Sequence, residues 1–190
     1  MTGGNVLKKT KTTEMILCAM FVALIAVGAF ITIPIPMLPI TMQNMFTMLA
    51  GLLLGGKIGG LSVCIYILLG LIGLPIFTQG GGIGYVFQPS FGYLIGFAAG
   101  AFVTGTIAHK KSNPGYRRIL GANFAGLAVI YTVGMAYYYV IRNFYLGNPI
   151  GLQALFIYCF LATIPGDIVK CIVGAFLGKR LIPLIKKGRV

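Results

Sequence analysis

Long apolar stretches, separated by short polar or glycine- and proline-rich breaks, dominate the chain. The pattern places spans at about 14–31, 43–54, 58–74, 91–108, 119–141 and 151–176 or further. A membrane helix needs about 20 mostly apolar residues. The stretch 43–54 is short on that measure and is expected either to borrow from its N-terminal neighbour or to pack centrally. Residues 55–60 (Gly-Gly-Lys-Ile-Gly-Gly) are expected to form a tight turn. Two breaks carry no charge. Residues 32–42 hold Pro34, Pro36 and Pro39 and cannot be helix throughout. Residues 75–90 contain the run Gly80-Gly81-Gly82, which breaks regular helix. Irregular backbone at membrane depth is tolerated where it lines a cavity or lies inside protein, so both breaks are expected to cover something. Tyr137, Tyr138 and Tyr139 close the fifth span as an expected aromatic belt.

Composition fixes the class. Hydrophobic residues make up 58% of the 190 and charged ones 9%, whereas soluble domains carry about 25% charged residues. The expected fold is therefore an all-α integral membrane protein of six transmembrane helices, in a single domain covering 1–190. Residues 1–13 are expected to form a cytoplasmic N-terminal tail, with or without a short interfacial helix, and residues 183–190 a basic C-terminal one.

The net charge of +13 would suggest nucleic acid in a soluble chain. Its distribution points to topology instead. With the N-terminus inside, the inner segments hold Lys8, Lys9, Lys11, Lys57, Lys110, Lys111, Arg117, Arg118, Lys179, Arg180, Lys186, Lys187 and Arg189. The outer loops hold Arg142 alone, and Lys170 is intramembrane. That satisfies the positive-inside rule with both termini cytoplasmic, gives some attraction to anionic membrane lipids, and implies no nucleic-acid partner. The two breaks at 32–42 and 75–90 then fall outside.

Asp167 and Lys170 carry the chemistry. Asp167 is one of two acidic residues in the chain, and Lys170 is the lysine with long apolar runs on both sides. A charge near the bilayer centre costs about 2.5–3.5 kcal/mol on insertion scales. Three residues apart, the two side chains share a helix face and neutralise each other until something polar arrives. Pro165 and Gly166 are expected to loosen the helix just before them. The pair reads as the polar floor of a ligand pocket or, alternatively, as a stitch between helices. Gln43, Asn44, Gln79, Gln88 and Asn123 could add hydrogen bonds, and Tyr85, Phe87 and Tyr93 could wall the pocket. Ala19 and Ala23, four apart on the first span, form a small-residue face for a neighbouring helix inside or outside the bundle.

Several classes are excluded. Two acidic residues leave paired-carboxylate catalysis and Mg²⁺-dependent lipid chemistry without ligands, so an enzyme and a bound cofactor are not expected. The glycine run lacks the Lys-Ser/Thr of a nucleotide-phosphate loop. Cys18, Cys64, Cys159 and Cys171 have no Cys-x-x-Cys spacing and read as small hydrophobes. His109 stands alone in a basic loop, and no metal is implied.

Three stretches together resemble the BioY family of biotin-binding S-components of energy-coupling factor (ECF) transporters. They are Gly70-Leu71-Ile72-Gly73-Leu74-Pro75-Ile76-Phe77 with the glycine cluster after it, Gln88-Pro89-Ser90-Phe91-Gly92-Tyr93-Leu94-Ile95-Gly96-Phe97, and Pro165-Gly166-Asp167-Ile168-Val169-Lys170. Where the family commonly has Gly-Pro-Thr-Gly-Gly, this chain has Gln88-Pro89-Ser90-Phe91-Gly92. The resemblance implies the six-helix S-component fold in a prokaryotic plasma membrane and an outward-facing biotin site at Asp167 and Lys170. Gln79, Tyr85, Gln88 and Tyr93 are the nearest further candidates. It also implies docking of the Ala19/Ala23 face on a transmembrane coupling protein, which acts with two ATPase subunits. An S-component for another vitamin and a stand-alone facilitator are the alternatives.

Overall fold

The structure is a computed structural model that describes residues 3–33, 39–111 and 113–188. Helix α1 (Gly3–Phe30) leads into a two-residue antiparallel ladder of β1 (Thr32–Ile33) with β2 (Ile40–Thr41), in which Thr32 faces Thr41 and Ile33 faces Ile40. Then come α2 (Gln43–Leu54), α3 (Gly56–Leu71), a 3-10 turn at Ile83–Phe87, α4 (Phe91–His109) and α5 (Tyr116–Val140). A π turn, Ile141–Tyr145, ends α5. The last membrane segment is interrupted: α6 (Leu152–Phe156) passes through a π turn, Ile157–Leu161, into α7 (Ile164–Gly188). Four stretches, 11–30, 91–109, 116–145 and 152–185, are long and apolar enough to cross a membrane, and α2 and α3 are shorter apolar helices. Phe144, Ile72, Ile83 and Met15 lie exposed around the bundle. Lipid tails cover such side chains without the penalty water would impose. The chain is a multi-pass membrane protein.

Several boundaries differ from those read off the sequence. The expected terminal tails are helical where described, because α1 starts at Gly3 and α7 runs on to Gly188. The expected turn over 55–60 shrinks to Gly55. Its φ of +89° suits glycine, its N–H bonds back to the Gly51 carbonyl, and α3 starts at the next residue. The proline-rich break is the β1–β2 hairpin, apart from residues 34–38, which lie outside the described residues. The tyrosines of α5 form no belt. Tyr138 is buried in the core, and the Tyr137 hydroxyl donates to the Val86 carbonyl of the 75–90 loop at 2.5 Å.

Close contact of α2, α3 and α4 depends on missing side chains. A Cβ on Gly105 would collide with the Gly56 backbone nitrogen, and one on Gly51 with the Ala101 carbonyl. The interior divides in two. One cluster, around Phe21, Leu49, Leu52, Leu53, Leu54, Ile119 and Ile182, is mainly aliphatic. It lies toward the basic end, where His109 Nε2 meets the Leu52 carbonyl at 2.8 Å and Arg118 Nε donates to the Ile107 carbonyl at 3.0 Å. The other cluster is rich in aromatic rings: Tyr66, Phe77, Tyr85, Phe91, Tyr93, Phe97, Tyr131 and Tyr138. It lies under the hairpin and the 75–90 loop, and the cavity is in this half.

Candidate functional site

The break in the last span creates the site. The π turn and the residues Ala162-Thr163 end one helical stretch, and α7 restarts at Ile164. Pro165 falls in the first turn of α7 and has no N–H for the Leu161 carbonyl four residues back, so the interruption lies just upstream of it, as the sequence suggests. Asp167 therefore lies in the first turn of α7, where the aligned peptide dipoles favour a carboxylate. This differs from the expected charge pair in mid-helix.

Lys170 Nζ lies 2.5 Å from Asp167 Oδ1, with the two residues 7% and 8% exposed. Nζ also donates to the Thr41 carbonyl at 2.9 Å, tying α7 to the hairpin. Tyr131 of α5 donates its hydroxyl to Asp167 Oδ2 at 2.5 Å and lies 2.7 Å from Thr163 Oγ1. Thr163 in turn bonds to the Cys159 and Phe160 carbonyls, 3.2 Å each. Hydrogen bonds to a charged group contribute about 1.5–3 kcal/mol each, so the carboxylate is held by α5, α7 and, through Lys170, the hairpin.

These groups lie on the lining of one cavity. Pro39, Ile40 and Thr41 come from the hairpin, Gln43 and Asn44 from α2, and Thr78, Gln79, Tyr85 and Ser90 from the 75–90 loop. Tyr93, Leu94 and Phe97 belong to α4, and Ile130 and Tyr131 to α5. Thr163, Asp167 and Lys170 complete it. Its volume is about 660 Å³, open solvent at its mouth included. Its walls are mostly apolar and aromatic with a few convergent polar groups, the general make-up of small-molecule sites. Burial pushes the Tyr85 phenol up from its ordinary value, with hydrogen bonding to Ser90 and to the Gln79 backbone opposing part of the rise. Tyr85 therefore offers a neutral hydroxyl at neutral pH.

A buried relay supports the rim. Gln43 Nε2 donates to the Tyr66 hydroxyl at 2.7 Å, and Tyr66 donates to the Ile76 carbonyl at 2.8 Å. Gln43 Oε1 receives Thr41 Oγ1 at 3.4 Å. Both outer segments are thereby anchored to the first turn of α2.

Of the residues singled out from the sequence, Asp167, Lys170, Gln79, Tyr85, Tyr93, Gln43 and Asn44 meet at this cavity. Gln88 does not. Its backbone is extended after the 3-10 turn, and its side chain faces outward. Phe87 stacks on Tyr145 at 4.8 Å, away from the lining. Asn123 is enclosed between α5 and α7, with Nδ2 on the Cys171 carbonyl at 2.9 Å. Ala19 and Ala23 are exposed on α1. Tyr131, Thr163, Thr41 and Ser90 were not anticipated. Tyr131 carried a usable signal: a tyrosine in mid-span needs a partner for its hydroxyl. Among the described residues no three metal-binding side chains come together.

A family model described as the BioY family matches residues 5–187. The chain is 45% identical over 183 residues to the probable biotin transporter BioY of Lysinibacillus sphaericus, covering 96% of this chain and 93% of that one. The biotin transporter BioY of Thermotoga maritima is 37% identical over 169 residues, which is 88% of this chain and 95% of that protein. Among solved structures, the S-component for biotin from an ECF-type ABC transporter, a crystal structure at 2.1 Å, superposes with a TM-score of 0.79 at 32% identity. The match covers 95% of this chain and 94% of that one, so the two share their fold.

Proposed function

The chain belongs to the BioY family, and from that premise we propose that it captures biotin from outside the cell as the substrate-binding subunit of an ECF-type ABC transporter. The observation that carries the proposal is the buried Asp167–Lys170 pair at the floor of an open, largely apolar cavity. Buried ion pairs rarely add net stability over apolar packing, so a pair beside empty space wants a ligand. Biotin suits it. The ureido ring has two N–H donors and one carbonyl acceptor, and the thiophane ring and valerate chain want apolar walls. Asp167 accepts a ureido N–H. Lys170 donates to the ureido carbonyl. Tyr85, Tyr93, Leu94 and Phe97 enclose the apolar part, and Gln79 lies at the rim.

Biotin is cargo here, and no cofactor is assigned to this chain. Energy comes from two ATPase subunits through a transmembrane coupling protein, against which the exposed Ala19/Ala23 face of α1 lies. Ligand entry closes the hairpin and the 75–90 loop over the cavity. ATP-driven movement of the partner module then reorients the subunit and opens the pocket inward. Native mass spectrometry of gently purified protein tests this. Retained biotin and co-purified ATPases are the expected result. A different retained vitamin, or concentrative uptake by the chain alone in ATP-free vesicles, contradicts it.

A further inference from the structure

Among the polar side chains on the cavity, the central cluster has its partners within the protein. Asp167 is held by Lys170 and Tyr131, Lys170 also by the Thr41 carbonyl, and Thr163 by Tyr131 and two carbonyls. Gln43 is engaged at both ends of its amide by Tyr66 and Thr41. Asn44, the next residue in the first turn of α2, is different. It is 4% exposed and contributes to the cavity lining, yet its Oδ1 has no hydrogen-bond partner among the described residues. A buried acceptor left unsatisfied is costly, on the scale of 10- to 100-fold in an equilibrium constant. Asn123 Oδ1 is likewise unpartnered, but it is off the cavity, in the packing between α5 and α7. Only at Asn44 does the unmet acceptor belong to a wall that a ligand can reach. The amide turns about a soft terminal torsion, so a modest rotation presents Oδ1 to the cavity.

Building on the biotin reading above, we propose that Asn44 is a specificity-determining contact whose amide oxygen accepts one ureido N–H of the ligand, while Asp167 accepts the other. The floor then reads both N–H groups and, through Lys170, the carbonyl between them. A ligand without the N–H that faces Asn44 leaves its Oδ1 unsatisfied, and the site rejects it by the unpaired-acceptor cost.

Calorimetric titration of the full chain tests this with wild type and Asn44→Leu, against biotin and against the two biotin analogues methylated at one ureido nitrogen. The expected results are a 10- to 100-fold loss of biotin affinity in Asn44→Leu and a ligand-free protein that melts no lower than wild type, since an orphan acceptor has been replaced by an apolar side chain of similar size. One of the two methylations should also cost much less in Asn44→Leu than in wild type, the coupling expected of groups in direct contact. Wild type binding biotin, with Asn44→Leu equally tight or with both methylations additive to the mutation, overturns the role of Asn44 and leaves the biotin reading in place. Wild type failing to bind biotin overturns the biotin reading itself and this contact with it. If Asn44→Leu does not fold, Asn44→Ser carries the same comparison.

Discussion

Replacing Lys170 by methionine removes the ammonium from an ion pair of 2.5 Å that is almost wholly buried. At an effective dielectric near 20, two unit charges at that distance attract by about 7 kcal/mol. The desolvation of both groups offsets most of this in the intact pair. In Lys170→Met the carboxylate keeps its desolvation and loses its counter-charge, with the Tyr131 hydroxyl and the α7 dipole left to support it. Removing one partner of a buried pair costs about 3–5 kcal/mol. On the scale of soluble domains of this size, that lowers the melting temperature by roughly 6–20 °C. The Thr41 carbonyl also loses its donor, so the hairpin should become more accessible to protease. The double variant Asp167→Asn/Lys170→Met carries no buried charge and should recover most of the stability while binding no biotin. Thermal unfolding of detergent-purified wild type and both variants, without ligand, measures the effect. A single variant that melts with wild type, or a double variant no more stable than the single, would show that the pair is not buried as described.

Tyr131→Phe deletes the hydrogen bonds to Asp167 and Thr163 while keeping the ring. Biotin affinity should fall about 10-fold with helix content intact by circular dichroism; unchanged affinity removes Tyr131 from the site. Tyr66→Phe breaks the relay from Gln43 to the Ile76 carbonyl and leaves the buried Gln43 amide without its acceptor, at about 1–3 kcal/mol. Limited proteolysis should then cut faster within residues 74–82, and an unaltered digestion pattern counts against the relay. Gly105→Ala forces a methyl group into the Gly56 backbone. The yield of monodisperse protein should drop sharply, and a stable, wild-type-like variant would mean that α3 and α4 are farther apart.

Long apolar runs made the class and the six membrane segments legible in the sequence, because lipid forces every backbone group into internal hydrogen bonds. Residues 43–54 matched α2 to the residue. The pair Asp167/Lys170 was visible for the complementary reason: ionisable groups deep in apolar sequence are too costly to be accidental. What stayed hidden depended on neighbours distant in the chain. Tyr131 is 36 residues from Asp167 and Thr41 is 129 from Lys170, and no local pattern reports such meetings. Pro165-Gly166 marks the weak turn of the last span, while the π turn Ile157–Leu161 before it has no local signal. Tyr137 and Tyr138 were placed at the membrane surface because a helix end with three tyrosines looks interfacial until a loop is known to cover it.

The central claim is that a cavity with an ionic floor holds biotin, and calorimetric titration of biotin into purified wild type and Asp167→Asn tests it most directly. The account predicts saturable one-to-one binding to wild type and loss of affinity by at least 100-fold in a folded Asp167→Asn. Absence of heat from wild type, or equal affinity in the two proteins, would contradict it.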